Sequence, residues 1–529
     1  MASLRFALYH AMHHRMDRII YVIPYTSIID QNAEEARKIL EEKDERGNYL
    51  NKMVLEHHSN LTPDEETKRQ NLLSENWDAP IVFTTQVQFL EALFSSGTRG
   101  ARRMHQLANA VIIFDEVQTI PVRCVHLFNL TIRFLVPGCG STVVLCTATQ
   151  PLLDKIEPVQ RSLTIHPEQQ MIEDVKTLFR QLKRVAIHDE RKVGGWTEGE
   201  VAELAEKEIQ QSGSVLIVVN TKTSGQNLYQ RLKESKTAHL YHLSTNMCPA
   251  HRMDVLQTIK ERLLDKKPTI CISTQLIEAG VDIDFGAVIR YLAGLDSIAQ
   301  AAGRCNRHGL RPTGNVYIVN PQEEDLARLE DIRIGKDNAE RVLDEYKDGP
   351  EKFDGDILSP ATMDRYYFYY FYARKDKMNY PVSSKSLVGR EDNLFDLLST
   401  NPKSIQEHQR THGALPAIPL KQSFQIASRA FRAIDSPTRG IIVPYGKEGK
   451  QIVADLCAAF ELEKQYRLLK KAQRYSVNVF SRTFEELGRQ NAIHEAQKDT
   501  GVFYLDSQYY SNDIGLSKEI VNEMETLNF

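Results

Sequence analysis

The sequence predicts an α/β protein with two consecutive lobes, each a parallel sheet flanked by helices, followed by a third region. Three observations predict this. Short unbroken apolar runs alternate with helix-period segments from about residue 18 to residue 319. Such runs mark strands buried on both faces, as in parallel sheets. The alternation places helices on both sides of each sheet. After Gln322 the composition shifts to charge-rich helix, which marks a linker. The chain has 529 residues, enough for about three domains. The expected division is 1–156, 157–321, a helical linker over 322–378 and an accessory domain over 379–529.

The first lobe opens with a helix over Ala2 to His14, where Leu4, Ala7, Leu8 and Ala11 recur at helical spacing. A strand, Arg18 to Ile23, closes at Pro24. A helix from Ile28 to Lys43 follows, with Thr26 or Ser27 as cap. Glu41 to Asp78 is highly charged and reads as helix and mobile loop on a solvated face. A strand over Ala79 to Thr85 precedes a helix from Gln86 to Phe94. Arg99, Arg102 and Arg103 then read as a loop, either solvated or phosphate-contacting. Val111-Ile112-Ile113-Phe114 runs into Asp115-Glu116, a buried strand ending in two carboxylates. A helix over Val122 to Leu135 leads to a strand, Ser141 to Cys146, and to Thr147-Ala148-Thr149.

Residues 157–197 read as a connector with one strand near Arg184 to His188. The second lobe follows with helices over Glu198 to Gln211, Thr221 to Lys233 and Pro249 to Leu264. Its strands cover Ser214 to Asn220, His239 to Thr245, Thr269 to Thr274, Val288 to Tyr291 and Asn315 to Val319. A helix starts at Ser297 and runs towards His308, with Gly309 as its left-handed cap. The aromatics of Tyr366 to Tyr372 fit packing better than base stacking. The third region carries fewer buried-strand patterns.

Composition excludes several classes. The 66 basic and 70 acidic residues give a net charge of −4, so nucleic acid can be met only through a local patch or backbone contacts. The seven cysteines form no C-x-x-C pair. That argues for a reducing compartment and against zinc or disulfide scaffolding. The pairs His13-His14 and His57-His58 have no further ligands at usual spacing and read as surface histidines. No secretory signal and no membrane-length apolar run is present, so a cytoplasmic location without a membrane partner is expected.

The chemistry concentrates in two places. Acids just past a parallel strand's C-terminal end lie where open α/β sheets bind ligands, and an Asp there can hold Mg²⁺. Gln300, Arg304 and Arg307, four and three residues apart, would share one helix face. Guanidiniums so placed can clamp a polyphosphate.

In this order the motifs resemble the superfamily-2 helicase core. Within it the chain resembles the CRISPR-associated helicase-nucleases of type I interference systems. Asp115-Glu116-Val117-Gln118 matches the DEAH-type motif II and Thr147-Ala148-Thr149 motif III. Ser273 to Gln275 with Glu278 to Asp282 matches motif V, and Gln300 to Arg307 motif VI. Val22 to Ser27 and Thr84 to Gln86 look like motifs Ia and Ib. Gln422 to Phe424 and Ala430 to Arg432 fit the family's accessory domain less sharply.

The resemblance implies two RecA-like lobes, the first incomplete, and an ATP-driven DNA helicase of antiviral defence. Its cofactors would be ATP and Mg²⁺. Its partners would be single-stranded DNA and a Cascade-like surveillance complex. Asp115 would hold Mg²⁺, with Glu116 beside it activating water. Gln300, Arg304 and Arg307 would reach the γ-phosphate, and Gly280 and Asp282 would line the nucleotide side of the second lobe. Thr26, Thr85, Thr245 and Thr274 would lie near the DNA backbone, and Thr147 and Thr149 would couple the two sites. Two departures stand out. Ala301 replaces the arginine common in motif VI. No G-x-x-x-x-G-K-[ST] precedes motif Ia, and no histidine-aspartate nuclease segment is found. The expectation is therefore a truncated helicase portion with impaired hydrolysis, or a fragment that only binds DNA or the surveillance complex.

Overall fold

The structure is a computed structural model. It describes residues 2–24, 26–44, 49, 53–57, 76–147, 149, 151–235, 237–278, 280–417, 421–433, 438–458 and 462–521. The chain divides into two compact units, 1–173 with 367–435 and 174–366 with 436–529. Of the expected accessory domain over 379–529 and linker over 322–378, contacts group 367–435 with the first unit and the rest with the second. The reason is long-range packing that local patterns cannot carry. In the first unit Phe431 packs on Phe94 with ring centroids 5.6 Å apart. Arg123 there donates to the Arg432 carbonyl at 2.7 Å and lies over the Tyr380 ring.

The first unit holds a five-stranded parallel sheet. Its strands are β1 (Arg18–Ile23), β2 (Val54–His57), β3 (Ile81–Thr85), β4 (Ala110–Asp115) and β5 (Thr142–Cys146), in the order β2-β3-β1-β4-β5. β3 is buried throughout, and β1 and β4 are buried at all but one position, as their apolar runs require. β5, at the edge, is half-exposed along its whole length. The helix Ala2–His14 buries Leu4 and Ala7 in the core that includes Ile19, Val111 and Ile113.

Three expectations are corrected here. β2 lies in the segment read as helix and loop; its buried Glu56 is held by an ion pair with Arg37, a contact invisible in local sequence. The helix after β1 spans Thr26–Leu40, so neither Thr26 nor Ser27 precedes it as a cap. The arginine cluster lies on a short helix, Thr98–Met104, not in a loop. There Arg103 is buried, donates to Gln88 Oε1 at 2.9 Å and lies over Trp77.

The second unit holds a six-stranded parallel sheet. Its strands are β6 (Val185–Asp189), β7 (Ser214–Val218), β8 (His239–Leu243), β9 (Thr269–Ser273), β10 (Ala287–Tyr291) and β11 (Gly314–Val319), in the order β6-β11-β10-β7-β9-β8. The strand expected in the connector is β6, an edge of this sheet. Thr197 and Glu200 form a reciprocal capping box that starts the helix Glu198–Ser212. Residues 438–516 of this unit add a small four-stranded mixed sheet. Ile441 and Val477 of that sheet, with Leu487 of the helix Ser481–Arg489, share a core with Cys248 and Ala250.

His242 on β8 is buried, with neither ring nitrogen hydrogen-bonded among the described residues. Gly225 lets the helix Lys222–Lys233 approach it, since a Cβ there would lie 3.1 Å from the imidazole. Burial, then the neighbouring His251, pushes the His242 pKa down to about 4. A histidine with a lowered folded pKa contributes stability that is complete above the unfolded value, about 6.5, and lost as pH falls towards 4. Urea unfolding of a His242→Leu variant should therefore show a flatter loss over that window, by up to about 1.4 kcal/mol per pH unit. An identical pH slope in variant and wild type would refute this.

Candidate active site

The parallel register places Asp115 opposite Cys146, at the C-terminal edge of the first sheet. Burial, then the adjacent Glu116, raises the Asp115 pKa above the usual carboxylate range. The Cys146 thiol is pushed up to about 11 by burial and by Asp115. Glu116 has φ 53° and ψ 50°, a left-handed conformation that costs a non-glycine residue roughly 1 kcal/mol or more. Its carbonyl fixes the turn, accepting from Thr119 N at 3.0 Å and Thr119 Oγ1 at 2.7 Å.

From Glu116 a chain of hydrogen bonds leads away through the unit. Gln118 Nε2 donates to the Glu116 carboxylate at 2.5 Å. Thr147 Oγ1 hydrogen-bonds Gln118 Oε1 and accepts from Thr149 N at 3.1 Å. The buried Thr149 hydroxyl meets the Tyr367 hydroxyl at 3.0 Å. Glu116, Thr147 and Thr149 are thus joined by one hydrogen-bond chain, and Asp115 precedes Glu116 at the end of β4. Gln118 and Tyr367 carry the relay although no role was assigned to them. Gln118 was legible as the last residue of motif II, whereas Tyr367 was hidden among its aromatic neighbours.

Two adjacent carboxylates at a strand's C-terminal end suit a divalent ion. Among the described residues no cluster of three or more metal-ligating side chains exists. Mg²⁺ commonly takes one or two carboxylates and completes its shell with water and phosphate oxygens, and Asp115 with Glu116 would be the residues to hold it.

The second unit carries the arginines differently from expectation. The helix Leu295–Ala302 ends before Arg304, so Gln300, Arg304 and Arg307 do not share one helix face. Asn306, at φ 49°, turns the chain, and its buried amide donates to the carbonyls of Arg184 and Arg311. Arg304 is buried and donates to the carbonyls of Ile277 at 3.0 Å and Glu278 at 2.7 Å. Arg307 is partly exposed and pairs with Asp282 at 2.8 Å. Burial raises the Asp282 pKa, but the Arg307 hydrogen bond and charge outweigh it and leave the carboxyl lowered. Gly280 takes φ +82° beside this pair, and Gln300 is half-buried.

Beneath these loops lies a buried network with no assigned role. Arg290, fully buried in β10, contacts Glu278 at 2.9 Å, Ser297 Oγ at 2.7 Å and Asn220 Oδ1 at 2.7 Å. A lone arginine inside an apolar strand was its trace in the sequence.

The four threonines divide. Thr26 opens its helix, and its side chain lies outside the described residues. Thr85 is buried and caps the helix Gln86–Phe94, accepting from Gln88 N at 3.1 Å. Thr245 is exposed in the turn after β8, and Thr274 is half-buried after β9.

Residues 211–310 match the family described as CRISPR-associated nuclease/helicase Cas3, C-terminal. A Cas3 nuclease/helicase of Haloferax volcanii is 26% identical over 408 residues, covering 58% of this chain and 43% of that protein. The chain is similar to Cas3 nuclease/helicases over these residues. A Cas3 of Methanothermobacter thermautotrophicus is also 26% identical, over 47% of this chain and 29% of its relative. The T. fusca Cas3–AMPPNP crystal structure has the same fold. Its TM-score is 0.61 at 14% identity, covering 95% of this chain and 63% of the T. fusca chain. A structure titled as a pre-nicking CRISPR RNA-guided surveillance complex aligns with a TM-score of 0.56 at 15% identity, over 95% of this chain and 62% of that one. The chain therefore spans less than two thirds of these relatives' length. Its two parallel sheets are RecA-like cores carrying an additional C-terminal region.

Proposed function

We propose that this chain is the helicase portion of a CRISPR-defence ATPase that translocates on single-stranded DNA and unwinds it. The observation that carries the reading is the relay from Glu116 through Gln118 to Thr147 and Thr149, which ties motif II to motif III inside one unit. ATP with Mg²⁺ would supply the phosphoanhydride whose hydrolysis drives motion. Asp115 offers the metal-side carboxylate, and Glu116 is placed to orient water. Arg307, Arg304 and Gln300, with Gly280 and Asp282, would form the second lobe's contribution. Thr26, Thr85, Thr245 and Thr274 are assigned to the DNA side, where hydroxyls and loop N–H groups meet phosphates. A Cascade-like surveillance complex is the proposed partner, and the cytoplasm the proposed location. No described helix is long and apolar enough to cross a membrane.

A second reading rests on the absence of G-x-x-x-x-G-K-[ST] from these 529 residues. That loop supplies the backbone N–H groups and the lysine that cradle phosphates. The polypeptide alone would then bind DNA or the surveillance complex with little hydrolysis. A DNA-stimulated ATPase assay on the purified chain decides between the two: weak turnover is expected, and vigorous hydrolysis would show that the loop is dispensable. A fusion placing a G-x-x-x-x-G-K-[ST] segment ahead of Ala2 should restore it.

In that fusion Gln118→Ala cuts the relay between Glu116 and Thr147. The expected outcome is a roughly tenfold loss of DNA stimulation, about 1.4 kcal/mol, with smaller change in the basal rate. Equal losses with and without DNA would argue against coupling through Gln118.

A further inference from the structure

The boundary between the two units falls inside one helix. Pro360–Tyr372 is continuous, yet its residues up to Tyr366 belong to the second unit and those from Tyr367 to the first. The two residues on either side of the boundary are both tyrosines, 1% and 2% exposed. Successive helical residues point about 100° apart, so the two rings leave the helix on different sides. A buried hydroxyl demands a hydrogen-bond partner, and each of these finds one inside its own unit.

In the second unit the Tyr366 hydroxyl donates to Asp296 Oδ1 at 2.9 Å. Asp296 stands in the first turn of the helix Leu295–Ala302, one turn before Gln300. Two glycines make room for the contact. A Cβ at Gly294 would run into the Tyr366 hydroxyl and the Asp296 carboxylate, and one at Gly335 would lie 3.3 Å from that hydroxyl. Burial raises the Asp296 pKa, against the opposing pull of the Tyr366 hydrogen bond. A hydroxyl donating to a carboxylate makes one of the stronger hydrogen bonds.

In the first unit the Tyr367 and Thr149 hydroxyls lie 3.0 Å apart, at the end of the relay from Glu116. One peptide bond therefore separates the residue that anchors the Gln300 helix from the residue that anchors Thr149. The helical N–H to carbonyl bonds run four residues back along the chain, so those around Tyr366 and Tyr367 span the boundary. Releasing either hydroxyl frees the turn that holds the other.

We propose that Tyr366 and Tyr367 are positioning residues that form a tie, through which the helix Pro360–Tyr372 transmits a change at Thr149 to the helix bearing Gln300, and the reverse. The link runs along the covalent chain. Its meaning as a coupling of motif III to motif VI rests on the helicase reading given above, but its existence can be tested without ATP or DNA.

Hydrogen exchange followed by mass spectrometry is compared for the full chain, Tyr366→Phe, Tyr367→Phe and Thr149→Val. The tyrosine variants keep the ring and remove only the hydroxyl. Losing one buried hydrogen bond should speed local exchange about fivefold. The deciding readout is the distant one. Tyr367→Phe and Thr149→Val should each speed exchange across Leu295–Ala302 at least about twofold, and Tyr366→Phe should do so in peptides covering Thr147 and Thr149. A hydroxyl that only fills the interior of its own unit would leave the distant peptides unchanged. Acceleration confined to the unit of each substitution overturns the tie and leaves the relay and the helicase reading standing. Acceleration spread evenly over β7 and β10 as well marks general loosening and overturns it too. No acceleration anywhere overturns the tie together with the Tyr367 end of the relay.

Discussion

Asp115→Ala, in the loop-bearing fusion, is expected to lower DNA-stimulated ATP hydrolysis by more than about 10²-fold, the usual scale for losing a group that stabilises transition-state charge. The fold should survive. Asp115 closes β4 partly exposed, and its carboxyl is strained upward in pKa by burial and by Glu116. Its charge therefore costs stability at neutral pH, and Asp115→Asn should hold or slightly raise the melting temperature while still removing activity. A variant that unfolds would reduce Asp115 to a structural role. A variant that hydrolyses ATP at the wild-type rate would end the assignment altogether.

Arg290→Ala should destabilise the protein by about 3–5 kcal/mol, because removing one partner of a buried ion pair strands the other. Arg290 is completely buried. Its loss leaves the Glu278 carboxylate, among the described residues, with the Ser297 hydroxyl alone, and abandons the carbonyls of Tyr291 and Val218. Burial already raises the Glu278 pKa to about 7, against the opposing pull of Arg290. An acid whose folded pKa exceeds its unfolded value of about 4.5 lowers stability as pH rises through that interval. Without Arg290 the interval widens, so the deficit should be larger at pH 7.5 than at pH 5. Urea unfolding at the two pH values tests both statements, and a deficit below about 1 kcal/mol or independent of pH would contradict them. Since Arg304 hangs from the carbonyls of Ile277 and Glu278, the same change should also loosen motif VI.

The site was readable where function and strand pattern coincide. Asp115-Glu116 follows an apolar run that reads as a buried strand, and as β4 that run places the acids at the sheet's C-terminal edge. Thr147 and Thr149 were legible for the same reason. The arginines were not. Spacing alone put Gln300, Arg304 and Arg307 on one face, but Asn306 satisfies two carbonyls by leaving the helix, and Arg304 is drawn under the motif V loop. Thr85 shows the opposite limit, since a hydroxyl assigned to DNA also serves as the cap of its own helix.

The sequence by itself determined the two parallel sheets and the place of the acids, because strand burial and helix period are local properties of the chain. Only the tertiary structure decided two further matters. It divided the C-terminal region between the two units, and it joined Glu116 to Tyr367 through Gln118 and two threonines. Each of these depends on which distant residues share a surface after folding, and on which charges find partners there, and spacing along the chain does not encode either.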